Sequence, residues 1–163
     1  PLTVAQNLPD IDGMVIVTTP QDVALLDSRK SITFANSLKV DVIGVIENMS
    51  GYTIRGKAPA GAEIELAAPG GKTVKAQADT DGNWAGTLDI FKSGGGEKTA
   101  NEFNVPFLGK LPFDPGFVRG GDDGVHRIVS EPDGPSSEAF SKVVAKIQER
   151  VESGSTEGGL EII

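Results

Sequence analysis

The chain has 163 residues, 38% of them hydrophobic, and a formal net charge of −8 at pH 7, which suits one packed domain with or without a small appendage. The chain has no cysteine and one histidine, and this composition excludes disulfides, thiolate catalysis and cysteine-held zinc or iron–sulfur clusters. No apolar run approaches the roughly 18 residues of a membrane span, and the acidic balance leaves no general basic surface for nucleic acid. No signal peptide is visible, so we expect a cytoplasmic protein without membrane or nucleic-acid partners.

The first half of the chain opens with a strand–helix–strand pattern. Residues 14–19 form a continuous apolar, β-branched run typical of a buried strand, and residues 21–38 follow with helical periodicity. Thr19 suits the N-cap of that helix, with Pro20 at its first position. A second apolar run, Val42–Ile46, completes a βαβ unit, which predicts parallel strands and a right-handed crossover.

Residues 53–88 change character, because helical periodicity stops and short alternating segments separated by Pro-Gly and Asp-Gly turns replace it. The four segments are Thr53–Lys57, Ala62–Ala67, Thr73–Asp79 and Asn83–Leu88. They predict a four-stranded antiparallel meander. An even number of strands returns the chain close to its starting point, as an insertion into another domain requires.

An α/β pattern resumes after this insert. In order, the sequence predicts a short helix at about residues 97–104, a strand at 107–111, a loop-rich stretch at 112–134, an amphipathic helix at 137–151 and a disordered tail at 153–163. The predicted fold class is therefore α/β: a partial parallel sheet with flanking helices, interrupted by a small antiparallel β insert.

Several motifs, in the same order along the chain, resemble the Mrp/ApbC family of P-loop ATPases, which carry iron–sulfur clusters. They are Leu2–Gln6, Val17–Ala24, Gly44–Ser50, Phe91 with Gly94–Gly96, Val105–Gly109 and Leu111–Pro115. The resemblance covers residues 1–52 and 89–152, which would form an α/β half-domain, and it covers only the C-terminal half of that family. It implies that the family's Walker A loop would lie upstream of residue 1.

The chain departs from the family at two signatures. The run Gly71-Lys72-Thr73 ends like a Walker A loop, but Leu66 stands at the required first glycine and the segment joins two predicted hairpin strands, which predicts a β-turn. The family's Cys-x-x-Cys is replaced by residues 53–88, so we expect no iron–sulfur cluster on this chain. That replacement resembles the opening half of a bacterial Ig-like repeat.

Asn48 is the main candidate for a binding residue, because it follows the second strand at the edge of the sheet where α/β proteins bind ligands. The resemblance implies that Asn48 contacts the adenine base of ATP and that a loop formed by Pro112, Phe113 and Asp114 closes over it. The alternative is an asparagine that caps the turn after the strand. ATP binding should be weak, since the phosphate site is missing, and no catalytic or metal-binding residue is predicted.

Three other motifs have simpler interpretations beside the functional ones. The run 93–96 could be an anion nest or a flexible entry to a helix, and we favour the second. The pair Asp79 and Asp81 before Gly82 suits a hairpin turn better than a calcium loop, which needs further ligands. His126 has no nucleophile or metal partner in the sequence pattern and suits an exposed loop.

Two functions remain open at this stage. The first is a derivative of an ATP-binding iron–sulfur cluster carrier that keeps the base side of the nucleotide site and lacks Walker A and the cluster cysteines; alone, it should be inactive as an ATPase. The second is a non-enzymatic binding or structural module, a chimeric scaffold in which the Ig-like segment mediates association. In either case exposed strand edges in the insert predict a homo-oligomer.

Overall fold

The structure is a computed structural model that describes residues 11–157 together with Thr3 and Asn7, with side chains described as far as residue 154. Most of the Leu2–Gln6 motif and residues 158–163 lie outside the described residues. In chain order the elements are β1 (Met14–Thr18), α1 (Asp22–Ser37), β2 (Val42–Glu47), β3 (Tyr52–Lys57), β4 (Glu63–Ala68), β5 (Lys72–Gln77), β6 (Asn83–Leu88), α2 (Gly95–Glu102), β7 (Phe107–Lys110), α3 (Pro115–Asp123), α4 (Arg127–Ser130) and α5 (Pro135–Glu157).

A three-stranded parallel sheet in the order β1-β2-β7 forms the centre of the fold. Every residue of β2 is buried, because helices cover both faces of this middle strand. The side chains of β2 divide between two apolar clusters, with Val42 and Val45 in the first and Ile43 and Ile46 in the second. The first cluster also contains Ile16, Ile32, Ala35 and Ala100, and the second also contains Leu108 and Val143. Helices α1 and α2 contribute to the first cluster and α5 to the second. The predicted α/β class and parallel pairing are confirmed.

The predicted start of the first helix is wrong by two residues. Gln21 is the N-cap of α1 and its side chain makes no capping hydrogen bond. The Thr19 hydroxyl, which the sequence assigned to the cap, donates instead to the side-chain oxygen of Gln21. It is therefore engaged outside the helix.

The insert is not a meander. Strand β3 pairs antiparallel with β6, and β4 pairs antiparallel with β5, so one hairpin is nested inside the other. Residues 58–62 link β3 to β4, and residues 78–82 link β5 to β6. These two links run side by side, with Ala58 N donating to Gly82 O at 2.8 Å and Ala78 N donating to Ala62 O at 3.0 Å. These links carry the chain from one two-stranded sheet to the other, which a meander would not do.

The two sheets of the insert face each other over a small core of their own. A Cβ on Gly86 of β6 would lie 2.6 Å from Leu66 Cδ1 of β4 and 3.7 Å from Val74 Cγ1 of β5, so the layers approach closely at this glycine. The apolar side chains that alternate along these strands, such as Ile64, Leu66 and Val74, are therefore half-buried. Because Tyr52 lies opposite Leu88, the insert begins and ends at one place, as predicted.

The region after β7 is more helical than the sequence suggested. Helices α3 and α4 occupy part of the predicted loop at 112–134, with Asp114 as the N-cap of α3 and Pro115 in its first turn. Helix α5 continues to Glu157, so residues 153–157 are helical and the predicted tail boundary at 153 is wrong. Within the part of the chain that the structure describes, no helix has the length and apolar character needed to cross a membrane.

Candidate binding site at the carboxyl edge of the sheet

Asn48 lies immediately after β2, where the sequence placed it. Its backbone N–H donates to the Thr18 carbonyl at 2.7 Å, which extends the pairing between β1 and β2. Its side-chain Oδ1 accepts a hydrogen bond of 2.8 Å from the Met49 amide, and Met49 has a left-handed backbone with φ of 55°. The asparagine therefore supports the turn that follows the strand, as the alternative interpretation predicts.

The loop at 112–114 runs beside the segment that follows Asn48. Ser50 N donates to Leu111 O at 2.9 Å, and Phe113 N donates to Gly51 O at 2.8 Å. The ring of Phe113 meets Tyr52 edge-on, with ring centroids 5.7 Å apart, and also packs edge-on against Phe91. Phe113 thus joins the loop to both ends of the insert.

Asp114 is held by the protein itself. Its carboxylate accepts hydrogen bonds from Gly116 N at 2.7 Å and from Arg127 Nε at 3.0 Å. Partial burial would raise the pKa of this carboxyl, but hydrogen bonds from Ser136, Gly116 and Arg127 outweigh it and lower the pKa below its usual value. Asp114 therefore caps α3 and fastens it to α4 as a charged carboxylate.

Pro112, Phe113 and Asp114 line one small cavity together with Tyr52, Thr53 and Arg55 of β3. Its volume of about 150 Å³ falls below the roughly 300–1,000 Å³ of typical ligand pockets. Asn48 is not among its lining residues. The structure thus brings the three loop residues together against the insert, and their contact with adenine stays a prediction.

Sequence reasoning missed Glu47, the most deeply buried charged residue of this edge. Its carboxylate accepts hydrogen bonds from Ser50 Oγ at 2.6 Å, Gly94 N at 3.0 Å and Gly96 N at 2.6 Å. Burial alone would raise the pKa of Glu47. The three hydrogen-bond donors and the positive charge of Lys110 outweigh burial, so the net effect is a pKa below the ordinary value. A charged residue that ends an otherwise apolar strand was the available signal, because such a group needs partners.

The glycine run after the insert is shaped around this carboxylate. Gly94 has a left-handed φ of 87° at the N-cap of α2. A Cβ on Gly96 would lie 2.9 Å from Glu47 Cβ, and one on Gly95 would lie 2.6 Å from Leu25 Cδ1. The amides that suggested an anion nest therefore bind the protein's own carboxylate. The run forms the entry to α2, as favoured, and it is close-packed at Gly95 and Gly96, whereas a Cβ on Gly94 would have no neighbour within 4 Å.

The remaining candidates have structural roles. Asp79 Oδ1 accepts hydrogen bonds from the amides of Asp81 and Asn83, which stabilises a turn there. Because the flanking strands β5 and β6 lie in different sheets, this turn does not close the predicted hairpin. His126 is exposed and stands at the N-cap of α4. The Walker-like run lies in a 3₁₀ turn at Pro69–Gly71 and the start of β5, so the predicted turn is confirmed. Among the described residues no group of three or more acidic, histidine or cysteine side chains is placed to hold a metal.

Solved structures identify the class of fold. The chain is similar to the cell division ATPase MinD of Pyrococcus furiosus, with a TM-score of 0.52 and 18% identity over 85% of this chain and 43% of that one. It is also similar to the septum site-determining protein MinD of Pyrococcus horikoshii, solved with Mg-ADP, with a TM-score of 0.54 and 16% identity over 98% and 49% of the two chains. The chain thus shares the fold of part of these two proteins.

Sequence comparison narrows this class to a family. A ParA family model, described as NUBPL iron-transfer P-loop NTPase, matches residues 1–81 and 78–148. Iron-sulfur cluster carrier proteins of Methanococcus maripaludis and Methanocaldococcus jannaschii are each 39% identical over 92% and 93% of this chain, and that of Synechocystis is 37% identical over 92%. The chain belongs to this family of iron-transfer P-loop NTPases. It spans 35–42% of the length of these relatives.

Proposed function

We propose that this chain derives from an ATP-binding iron–sulfur cluster carrier, corresponds to its C-terminal half and keeps the base side of its nucleotide site. The observation that carries the proposal is the carboxyl edge of the sheet, where the turn after Asn48 and the loop before α3 are hydrogen-bonded to each other through Ser50–Leu111 and Gly51–Phe113. Amide side chains suit adenine, since they offer a donor and an acceptor side by side.

The catalytic and cluster-binding parts of such a carrier are not encoded in these 163 residues. The sequence contains no G-x-x-x-x-G-K-[ST] motif and no cysteine. Phosphoryl transfer depends mainly on positioning and charge stabilisation by a P-loop and its magnesium ion. Most of the affinity for a nucleotide would come from the same phosphate contacts. The chain is therefore proposed to bind adenine nucleotides weakly and to leave their phosphates intact.

The first prediction tests this nucleotide site. We expect no ATP turnover above a blank in a phosphate-release assay, and binding of ADP in roughly the millimolar range by calorimetry. Asn48→Ala should weaken that binding, whereas Asn101→Ala on the exposed surface of α2 should leave it unchanged. Steady turnover that survives purification and is lost on Asn48→Ala would refute the proposal.

The second candidate function is association through the insert. The segment 53–88, which resembles part of an Ig-like repeat, is proposed to stand in the place of the family's cluster loop. Each of its two sheets has two strands, so each described strand of the insert has a hydrogen-bonded neighbour on one side only. Open edges of this kind are templates for pairing with another chain.

The second prediction concerns this association. Replacing residues 53–88 by a short Gly-Ser linker should leave the α/β part folded, because Tyr52 and Leu88 already lie opposite each other. We expect the parent chain to be a dimer or larger by light scattering and the linker variant to be a monomer. Lys30→Glu on α1, outside the insert, serves as a control and should have the same oligomeric mass in solution as the parent chain. Equal masses for the parent and the linker variant would show that the insert is not the association surface.

A further inference from the structure

We propose that the outer edge of β7 is a docking site for an extended acidic peptide segment, which adds to the parallel sheet as a further strand. Strand β7 ends the sheet order β1-β2-β7, so among the described residues it has a hydrogen-bonded neighbour only on its β2 side. No residue of the insert lines the groove along this edge, and Pro135 is the one lining residue that the groove shares with the small cavity at Pro112–Asp114.

A groove runs along this edge between β7 and α5. Its volume of about 550 Å³ falls within the range typical of ligand pockets. Ala139 of α5 supplies half-buried apolar lining, and Leu108 of β7 and Val143 of α5 lie almost fully buried at the floor of the groove. Gly109 keeps the strand close to the helix, because a Cβ there would lie 3.1 Å from Val143 Cγ2.

The backbone of β7 presents hydrogen-bonding groups to this groove. The Pro106 carbonyl points the other way and accepts from Val45 N of β2 at 2.9 Å. The next carbonyl, that of Phe107, accepts from Lys146 Nζ of α5 at 3.4 Å, so it faces the groove side. A lysine ammonium thus occupies a position that an incoming strand's N–H would take.

The charge around the groove selects the partner. Its rim carries Lys110 from β7 and Lys142 and Lys146 from α5, against Glu138 as the acidic residue of the lining. Glu138, Lys142 and Lys146 follow each other at four-residue spacing and form one row along α5. Lys110 is also 3.6 Å from Glu97, an exposed pair that contributes little and is easily exchanged.

A cationic rim on a chain of net charge −8 is a local exception, and it complements an acidic ligand. A strand edge recognises main chain, whereas an apolar groove beside it takes alternate side chains of the added strand. Together these features specify an extended peptide in which acidic and β-branched residues alternate. Nucleic acid would satisfy the lysines but not the strand edge.

The test uses the full chain and a synthetic peptide of alternating valine and glutamate. We expect binding by calorimetry, with amide NMR shifts and slowed hydrogen exchange centred on β7. N-methylation of the peptide on one edge should abolish binding, while N-methylation on the other edge should not, because only one edge faces β7. The double variant Lys142→Glu with Lys146→Glu should weaken binding roughly tenfold or more.

Matched controls separate this site from charge alone. Lys30→Glu with Lys72→Glu makes the same charge change away from the groove and should leave peptide affinity unaltered. A valine–lysine peptide and a single-stranded oligothymidylate should not bind. The proposal is overturned if the acidic peptide does not bind, if its shifts map outside β7 and α5, if both N-methylated peptides bind equally, or if the oligonucleotide binds to the groove instead.

Discussion

Replacing Glu47 by alanine is expected to lower the free energy of unfolding by about 3 kcal/mol or more, because hydrogen bonds to a charged group are each worth about 1.5–3 kcal/mol and buried donors left unpaired cost more. The carboxylate joins the segments on either side of the insert, because it accepts hydrogen bonds from Ser50, which precedes the insert, and from Gly94 and Gly96, which follow the insert. Thermal unfolding followed by circular dichroism should show a midpoint lower by roughly 6–12 °C. Glu97→Ala, at an exposed pair with Lys110, serves as a control and should change stability by less than about 1 kcal/mol.

The same carboxylate predicts a pH dependence of stability. The pKa of Glu47 is lowered from its ordinary value of 4.5, so the folded protein binds this proton less readily than the unfolded chain. Its contribution is therefore complete above the unfolded pKa and is lost as the pH falls through the folded pKa. Glu47→Gln places an amide N–H₂ against a backbone donor and should be less stable than the parent near about pH 7. Urea unfolding should show this difference narrowing below about pH 4.5; a difference that is constant with pH would contradict the assignment.

A side chain at Gly44 is expected to destabilise the parallel sheet by about 2–3 kcal/mol, as overpacking in a rigid core does. Gly44 lies in the fully buried β2, and a Cβ there would be 2.6 Å from Leu108 Cγ and 2.7 Å from the Pro106 carbonyl oxygen of the segment that leads into β7. The backbone carbonyl is itself hydrogen-bonded to Val45, so neither contact relaxes without moving β7. Gly44→Ala should lower the urea concentration at the midpoint of unfolding in proportion to this loss of free energy, with the slope m unchanged.

Gly121→Ala is the matched control for this substitution. Gly121 lies in α3, and a Cβ there would have no neighbour within 4 Å. Alanine in place of a helical glycine should raise stability by about 0.5–1 kcal/mol. If both variants changed stability in the same direction and by the same amount, the loss at Gly44 would not come from the close approach of β7.

The sequence by itself determined the α/β part of this protein. The runs at 14–19 and 42–46 predicted two parallel strands because a strand covered on both faces must be apolar at every position. This burial holds throughout β2. It does not hold for β1, which ends the sheet order and leaves Val17 58% exposed. The resemblance at Gly44–Ser50 and Leu111–Pro115 indicated the family that the comparisons show. These features are local in the chain, so they can be read from neighbouring residues.

Only the tertiary structure decided the pairing of the insert and the surroundings of the candidate site. Alternation places side chains on one face of a strand but does not say which strand lies beside it, so a meander and nested hairpins have the same pattern in sequence. Glu47 and the glycine run lie about 50 residues apart in the chain, and the carboxylate meets the amides of that run because α2 packs against β2. The turn at Asn48, the loop at Asp114 and the open edge of β7 likewise depend on contacts between distant segments. Such contacts follow from packing the whole chain, which local propensity and periodicity do not specify.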